Sequence, residues 1–339
     1  MTLRVVLIGY GLGGAAFHAP LISSVPGMML VAVVTGNPER QEAVRQRYPG
    51  VAVLPDASAV FAEPQHCDLV VVSTPNRTHV PLATAALKSG LPVVVDKPVA
   101  VTAAQARELE SYGPPVFPYH NRRWDGDFRT ARRLIAEGAL GKVQRFESRF
   151  ERWRPEVTES WKESRDPSDA GSILYDLGTH LVDQSICLFG PPTHVYAEVD
   201  TRREGAQVPD DVFLGLTHEG GVRSHLWMSA TAADLGPRFR VLGSEASYVI
   251  QGMDGQEAAL RAGRSPREPG WGQMPPESYG LLGVPGRARP VRTDAGAYQD
   301  FYRGVAATLQ EDAPPPVPMS DAIAGLEVIE AALRSAVGR

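Results

Sequence analysis

Val5-Val6-Leu7-Ile8-Gly9-Tyr10-Gly11-Leu12-Gly13-Gly14 is the stretch that decides the fold of this chain. Four apolar residues with no polar alternation predict a strand buried on both faces, as in a parallel sheet. The glycines that follow match G-x-G-x-x-G, and an amphipathic stretch over residues 13–24 comes next. A strand before and a helix after turn a common glycine pattern into a dinucleotide-binding one. Gly9 would make the tight turn and Gly11 would let a pyrophosphate approach the backbone. Gly14 would let the helix pack on the strand, and the phosphate charge would meet the helix N-terminus. Leu12 and Gly13 complete the predicted cofactor loop.

Outward from this turn the same alternation continues. Apolar runs at residues 28–34, 69–72 and 93–95 predict further buried strands, with helices at 13–24, 38–48, 78–89 and 102–112 between them. The last helix opens with Thr102-Ala103-Ala104-Gln105, a capping-box pattern. Another strand is expected at 116–119, after the turn Gly113-Pro114-Pro115. The fold class is α/β, a doubly wound parallel sheet. Beyond Tyr119 the periodicity loosens to alternation at 145–151, 195–199, 212–217 and 223–227. Turn signals such as Glu219-Gly220-Gly221 separate these runs, which predicts an antiparallel sheet open, or paired with a partner, on one face. One helix interrupts it, residues 173–189, closed by Gly190 and Pro191-Pro192. Residues 264–290 read as long loops, and a final helix at 319–337 follows Pro314-Pro315-Pro316. Two domains are expected, 1–119 and 120–339, with the last helix free to pack back on the first.

Composition narrows the function classes. The chain has 339 residues, 43% hydrophobic and 22% charged, which excludes disorder and fibrous repeats. Cys67 and Cys187 are too few for a disulfide framework or a zinc site, and no metal is expected. A net charge of −5 argues against nucleic acid as the main partner. The longest apolar run, residues 28–34, is far below the roughly 20 residues that span a bilayer, and no leader pattern is visible. A cytoplasmic protein with no membrane partner is expected. Gly and Pro stand out, at 33 and 29 residues.

The strand ending near residue 34 usually leads to an acidic residue in chains that bind NAD. Here Thr35-Gly36-Asn37-Pro38-Glu39-Arg40 has none at the strand end. A hydroxyl at Thr35, an amide at Asn37 and a cation at Arg40 suit a 2′-phosphate, so NADP(H) is preferred, with NAD(H) possible. Ser73, Thr74, Pro75, Asn76 and His79, after the 69–72 run, are assigned to the cofactor site too, as are Asp96 and Lys97. Asp96-Lys97-Pro98 follows the 93–95 strand at the sheet edge where ligands bind in such folds. Asp176 and His180 stand four residues apart on the 173–189 helix and would share one face, with Asp183 continuing it. An imidazole there can exchange a proton with an alcohol at neutral pH. The same spacing would also suit a satisfied structural pair.

Gly9–Gly14, Asp96-Lys97-Pro98 and Tyr175-Asp176-Leu177-Gly178-Thr179-His180 together resemble the Gfo/Idh/MocA oxidoreductases over essentially the whole chain. The strings Phe17-His18-Ala19-Pro20-Leu21, Tyr119-His120-Asn121-Arg122-Arg123-Trp124-Asp125, Arg152-Trp153-Arg154-Pro155-Glu156-Val157 and Gly252-Met253-Asp254-Gly255-Gln256-Glu257 narrow the likeness. They resemble the branch that holds NADP-dependent scyllo-inositol dehydrogenases. The resemblance implies an N-terminal Rossmann domain and a C-terminal α+β domain with a large open mixed sheet, often used for homodimer or homotetramer contacts. It implies that Lys97 bonds the reacting oxygen, that the Lys97–Pro98 bond is cis, that Asp176 orients substrate and that His180 is the acid/base. Two positions depart from the family pattern: Asp96 replaces its usual Glu, and Gly36 replaces the arginine of many NADP-preferring relatives.

A polyol substrate needs donors and acceptors together. Tyr119, Asn121, Arg122 and Trp124 follow the last predicted Rossmann strand, and Arg152 and Trp153 could wall the other side, with Tyr298 reaching in. Arg122 and Arg123 could equally form salt bridges between domains, and Arg152 and Arg154 could serve a subunit contact. His66, His194, His218 and His225 are expected at the surface. The expected activity is interconversion of a secondary alcohol of a cyclic polyol or sugar with its ketone. An NAD(P)-dependent aldose dehydrogenase, an NAD-assisted glycosidase and a non-catalytic NADP sensor are the alternatives.

Overall fold

Strand β1 (Leu3–Ile8) lies inside a six-stranded parallel sheet, and its apolar run lacks a polar face because both faces are buried. The computed structural model describes residues 2–158 and 160–337. The other strands are β2 (Met28–Val34), β3 (Ala52–Leu54), β4 (Leu69–Val72), β5 (Val93–Asp96) and β6 (Val116–Tyr119). Their order is β3-β2-β1-β4-β5-β6. The order reverses beside β1, and at such a switch point the strand ends leave a crevice for a ligand. The predicted helices appear with slightly tighter bounds, Pro38–Arg47, His79–Lys88 and Ala103–Glu110. The capping box is formed: the Gln105 amide donates to Thr102 Oγ1, and the Thr102 amide donates to Gln105 Oε1, both at 3.2 Å. The predicted 13–24 helix is two pieces, a wide π turn over Gly13–His18 and an α-helix over Ala19–Ser24. Strand β3 was not predicted; three residues at a sheet edge leave little pattern.

This sheet belongs to a unit comprising the chain up to Asn121 with Gln256–Trp271 and Ala297–Ala322. The expected boundary at 119 falls two residues short of Asn121, and the two later segments return to the unit. They carry the helices Gln256–Arg261 and Gln299–Glu311, the latter packed on Ala19–Ser24 with Phe301, Tyr302 and Val305 fully buried.

The second unit is Arg122–Gly255, Gly272–Gly296 and the segment from Ile323. Its sheet has eight strands, β7 (Val143–Glu151), β8 (Pro192–Asp200), β9 (Asp211–His218), β10 (Arg223–Ser229), β11 (Phe239–Gly243), β12 (Ser247–Ile250), β13 (Gly280–Gly283) and β14 (Arg289–Val291). They run in the order β14-β13-β12-β11-β7-β10-β9-β8. The sheet is mixed: β7 and β10 are parallel where alternation alone suggested antiparallel pairing throughout. Strands β13 and β14 lie partly in the stretch read as loops. Gly280 explains why, since a Cβ there would stand 2.5 Å from the Tyr248 ring, so a strand position must be glycine. Along β9, Val212, Leu214 and Leu216 point into a core with Leu174, Leu181 and Ile186. On the other face Phe213 meets His225 and Trp227, with ring centroids 5.7 and 5.1 Å away. His218 corrects the surface expectation. It takes the inward register of β9 and is buried, with Nδ1 2.7 Å from the Gly190 carbonyl oxygen. Among the described residues, no helix is long and apolar enough to cross a membrane.

The helix Gly126–Ala136 starts at a buried acidic cluster. Asp254 accepts the Gly126 amide at 2.7 Å, and Arg238 Nε lies 3.6 Å from Asp127 Oδ2. Burial first, then the charges of Asp125 and Asp254, push the Asp127 carboxyl well above its ordinary value against the opposing pull of Arg238. The folded chain therefore keeps a proton that the unfolded chain loses, and stability falls as pH rises from the ordinary carboxylate value through neutrality. Urea midpoints between about pH 5 and about pH 7 should drop in the wild type and flatten in Asp127→Asn. Equal slopes in both proteins would refute the assignment.

Candidate active site

The glycine turn has the shape a pyrophosphate needs. A Cβ on Gly9 would stand 2.1 Å from the Ser73 carbonyl oxygen, one on Gly14 2.1 Å from the Gly9 oxygen, and one on Gly13 2.6 Å from Ser73 Oγ. Gly9 also has φ +100°, a conformation that excludes a side chain. Over Gly11 the nearest atom is Arg40 Nη1, 3.8 Å from an ideal Cβ. The turn is thus closed beneath and open above, with a guanidinium leaning over it. The residues present fit a dinucleotide. Arg40 is aimed from the first turn of its helix, where Asn37 caps by accepting the Arg40 amide at 2.9 Å. Thr35 is buried and accepts from Gln41 through its carbonyl.

Asp96, at the carboxyl end of β5, ties the turn to Lys97. Its Oδ1 accepts the Lys97 amide at 2.8 Å, and its Oδ2 accepts from Ser73 Oγ at 3.1 Å and from His18 Nε2 at 3.3 Å. Burial alone would raise this carboxyl, but the His18 hydrogen bond and the nearby His18, His79 and Lys97 hold it well below the usual range. The Lys97–Pro98 bond is cis. His79 is buried, its two ring nitrogens each 2.8 Å from a carbonyl oxygen, of Pro98 and of Thr74. Burial pushes its pKa down, against Asp96 and those two contacts. Thr74 Oγ1 accepts from Thr78, Pro75 lends its carbonyl to the same hydroxyl, and Asn76 is buried in the turn that follows.

In the second unit the 173–189 helix is also divided, a π turn over Leu174–Gly178 and an α-helix over Thr179–Phe189. Asp176 lies in the π turn and His180 is the second residue of the α-helix; such widened turns recur at functional sites. Gly178 allows the passage, since a Cβ would meet Met228 Sδ at 2.9 Å. Asp176 Oδ1 accepts from Lys162 Nζ at 2.8 Å. Lys162 is 46% exposed, so this pair is worth at most about 1 kcal/mol and yields readily to a polar ligand. Buried Arg203 steadies the adjoining Glu163, donating to it and to Asp210 at 2.8 Å each. His180 is 6% exposed and stacks on Phe150, centroids 6.4 Å apart. Arg122, Arg152 and Arg238 place guanidinium carbons 4.8, 4.9 and 5.7 Å from that same ring. Asp183 is satisfied by Arg123 in a buried two-pronged ion pair at 2.6 and 2.9 Å, within the second unit.

The remaining predicted substrate residues divide by burial. Trp153 is 59% exposed, and Trp124 is half-buried. Asn121 is buried in the turn Asn121–Trp124. Tyr119 packs against His18 at 4.2 Å and Phe301 at 4.9 Å, and Tyr298 is fully buried against Phe17. Sequence reasoning passed over His18, Tyr302 and Lys162. His18 stood in a string quoted only for its likeness, and Tyr302 was passed over for Tyr298. Lys162 reaches Asp176 from the short 3-10 turn Trp161–Glu163, too brief to leave a pattern.

A parallel sheet in this order, with a glycine turn shaped for pyrophosphate at its switch point, defines a dinucleotide-binding Rossmann unit. Residues 3–112 match the model described as oxidoreductase family, NAD-binding Rossmann fold, and residues 128–249 match the GFO/IDH/MocA C-terminal domain. The chain belongs to the Gfo/Idh/MocA oxidoreductase family. It is 41% identical to the uncharacterized oxidoreductase YdgJ of Escherichia coli K12, over 100% of this chain and 97% of that one. It is 35% identical to the scyllo-inositol 2-dehydrogenase (NADP(+)) IolW of Bacillus subtilis 168, over 98% and 94%. The solved structure of the oxidoreductase YvaA from Bacillus subtilis superposes with a TM-score of 0.93 at 35% identity, covering 99% of this chain and 97% of that one.

Proposed function

We propose that this chain is an NADP(H)-dependent oxidoreductase that interconverts a secondary alcohol of a cyclic polyol or sugar with its ketone. The observation that carries the reading is the place of Lys97. Its neighbouring carboxylate touches both Ser73 and the Gly13 turn, so the lysine stands at the sheet edge beside the cofactor cradle. Bound there, a nicotinamide supplies the hydride acceptor or donor. The Lys97 ammonium would polarise the reacting oxygen, and His180 would take or return the hydroxyl proton. Asp176 would orient the substrate by accepting from a neighbouring hydroxyl once Lys162 gives way. Arg122, Trp124, Arg152 and Trp153 would supply further contacts, and Tyr119 and Tyr298, being buried, would support shape. The likeness to an NADP-dependent inositol dehydrogenase supports this substrate class. Phe213, His225 and Trp227 on the open sheet face are where we place a homo-oligomer contact.

A panel of inositols and aldoses, followed by nicotinamide absorbance with NADP and NAD, tests the reading. Turnover on a polyol or sugar with NADP preferred is the expected result. Arg40→Ala should raise KM for NADP at least about tenfold and affect NAD less, as expected for loss of a charge-assisted phosphate contact. Unaltered cofactor preference would remove Arg40 from the site. A panel with no turnover, or release of a free sugar from a glycoside, would overturn the substrate reading.

A further inference from the structure

His18 and Tyr302 lie 284 residues apart in sequence, yet Tyr302 Oη is 2.5 Å from His18 Nδ1, with both side chains fully buried. Chemistry fixes the direction of the bonds to Asp96. Ionised Asp96 can only accept, so His18 Nε2 carries the proton and donates to Oδ2. In the neutral ring Nδ1 is then the acceptor and the phenol donates to it, whereas in an imidazolium Nδ1 donates and the phenol oxygen accepts. Burial first, then Tyr119 and Asp96, keeps the phenol protonated. The other Asp96 oxygen accepts the Lys97 amide. The run Tyr302, His18, Asp96, Lys97 is therefore a continuous chain of hydrogen bonds that converges on the Asp96 carboxylate, which accepts from His18 on one side and from the Lys97 amide on the other. On the far side, the Pro98 carbonyl oxygen faces buried His79 at 2.8 Å.

We propose that His18 and Tyr302 are positioning residues for Lys97: Tyr302 fixes the His18 ring, His18 fixes the Asp96 carboxylate, and Asp96 fixes the lysine backbone while His79 holds the peptide beyond it. This rests on the reading of Lys97 as the group that polarises the reacting oxygen. His18 and Tyr302 are fully buried and reach no solvent-facing surface. Their effect is on where the ammonium stands, and misplacement of a reacting group by about 1 Å can cost about 100-fold in rate.

Tyr302→Phe removes one hydroxyl and keeps the ring, so it is the mildest probe. In that variant kcat should fall about tenfold, with KM for the alcohol and the NADPH binding constant within about twofold of wild type. His18→Ala should cost more, and His18→Gln, which keeps an N–H toward Asp96, should recover part of the loss. A second measurement is independent of turnover. The sequence has four lysines, at 88, 97, 142 and 162, so brief acetylation with acetic anhydride read by mass spectrometry gives the rate at Lys97 against internal references. In both Tyr302→Phe and His18→Ala, Lys97 should change its rate relative to Lys88 and Lys142 by about threefold or more, reflecting a displaced amine. A lower melting temperature with an unchanged Lys97 rate would reduce His18 and Tyr302 to packing residues and overturn the proposal. An equal loss of NADPH affinity with no kcat change would also overturn it, assigning the chain to the glycine turn. Absence of wild-type turnover on every alcohol would sink the functional reading, and the labelling ratio would still decide the positioning role.

Discussion

Replacing Lys97 by alanine is expected to lower turnover by at least about two orders of magnitude, a loss typical of a deleted acid–base or polarising group. The side chain leaves from a strand end whose backbone is held by Asp96, so the fold around it should persist. Asp96 would still accept from Ser73 and His18, and the glycine turn would keep its shape. NADPH binding should therefore stay close to wild type, separating chemistry from affinity. Titration of NADPH by fluorescence alongside steady-state rates makes both readings. If the variant turns over normally, the proposed chemistry is wrong. If it loses the cofactor as well, Lys97 belongs to the binding site rather than the reaction.

The second large effect is expected at Gly9. Alanine there needs the left-handed φ of +100° and puts a methyl group 2.1 Å from the Ser73 carbonyl oxygen. The backbone strain alone costs about 1–3 kcal/mol. The clash cannot be relieved by a side-chain rotation, because its partner is main chain. β1 and β4 pair directly, and the Ser73 amide donates to Ile8, so separating them breaks the sheet at the switch point. Gly9→Ala should lose at least about 100-fold in NADPH affinity and melt several degrees lower. Native affinity in that variant would mean the dinucleotide is not held by this turn.

The two predictions differ in how visible their residues were beforehand. Gly9 and Lys97 announce themselves because backbone geometry and strand ends leave local patterns. Buried strands with no polar face were equally legible, down to the bounds of Met28–Val34 and Leu69–Val72. What stayed hidden depends on distance in sequence. β13 was unreadable because its Gly280 answers to the ring of Tyr248, and the parallel β7–β10 pair has no signature in either strand alone. The four-residue spacing of Asp176 and His180 is visible in the sequence, but the change from π to α winding between them is not; at that change stands Gly178, where a Cβ would be 2.9 Å from Met228 Sδ. Tyr302 reaches His18 across 284 residues, and Lys162 reaches Asp176 across 14 residues of chain that carry no periodic pattern.

The nucleotide-binding unit is stitched from three stretches of chain, and this bears on how it is made. During synthesis the glycine turn and all six strands emerge within the first 121 residues. His18 must then wait for Tyr302, and the helix Gln299–Glu311 that buries it, until translation has passed more than three hundred codons. A nascent or prematurely ended polypeptide would thus display the phosphate turn with its supporting histidine still uncovered. Expressing the first third alone would yield a sheet without its brace, and a designer borrowing this nucleotide cradle would have to graft the distant helix along with it.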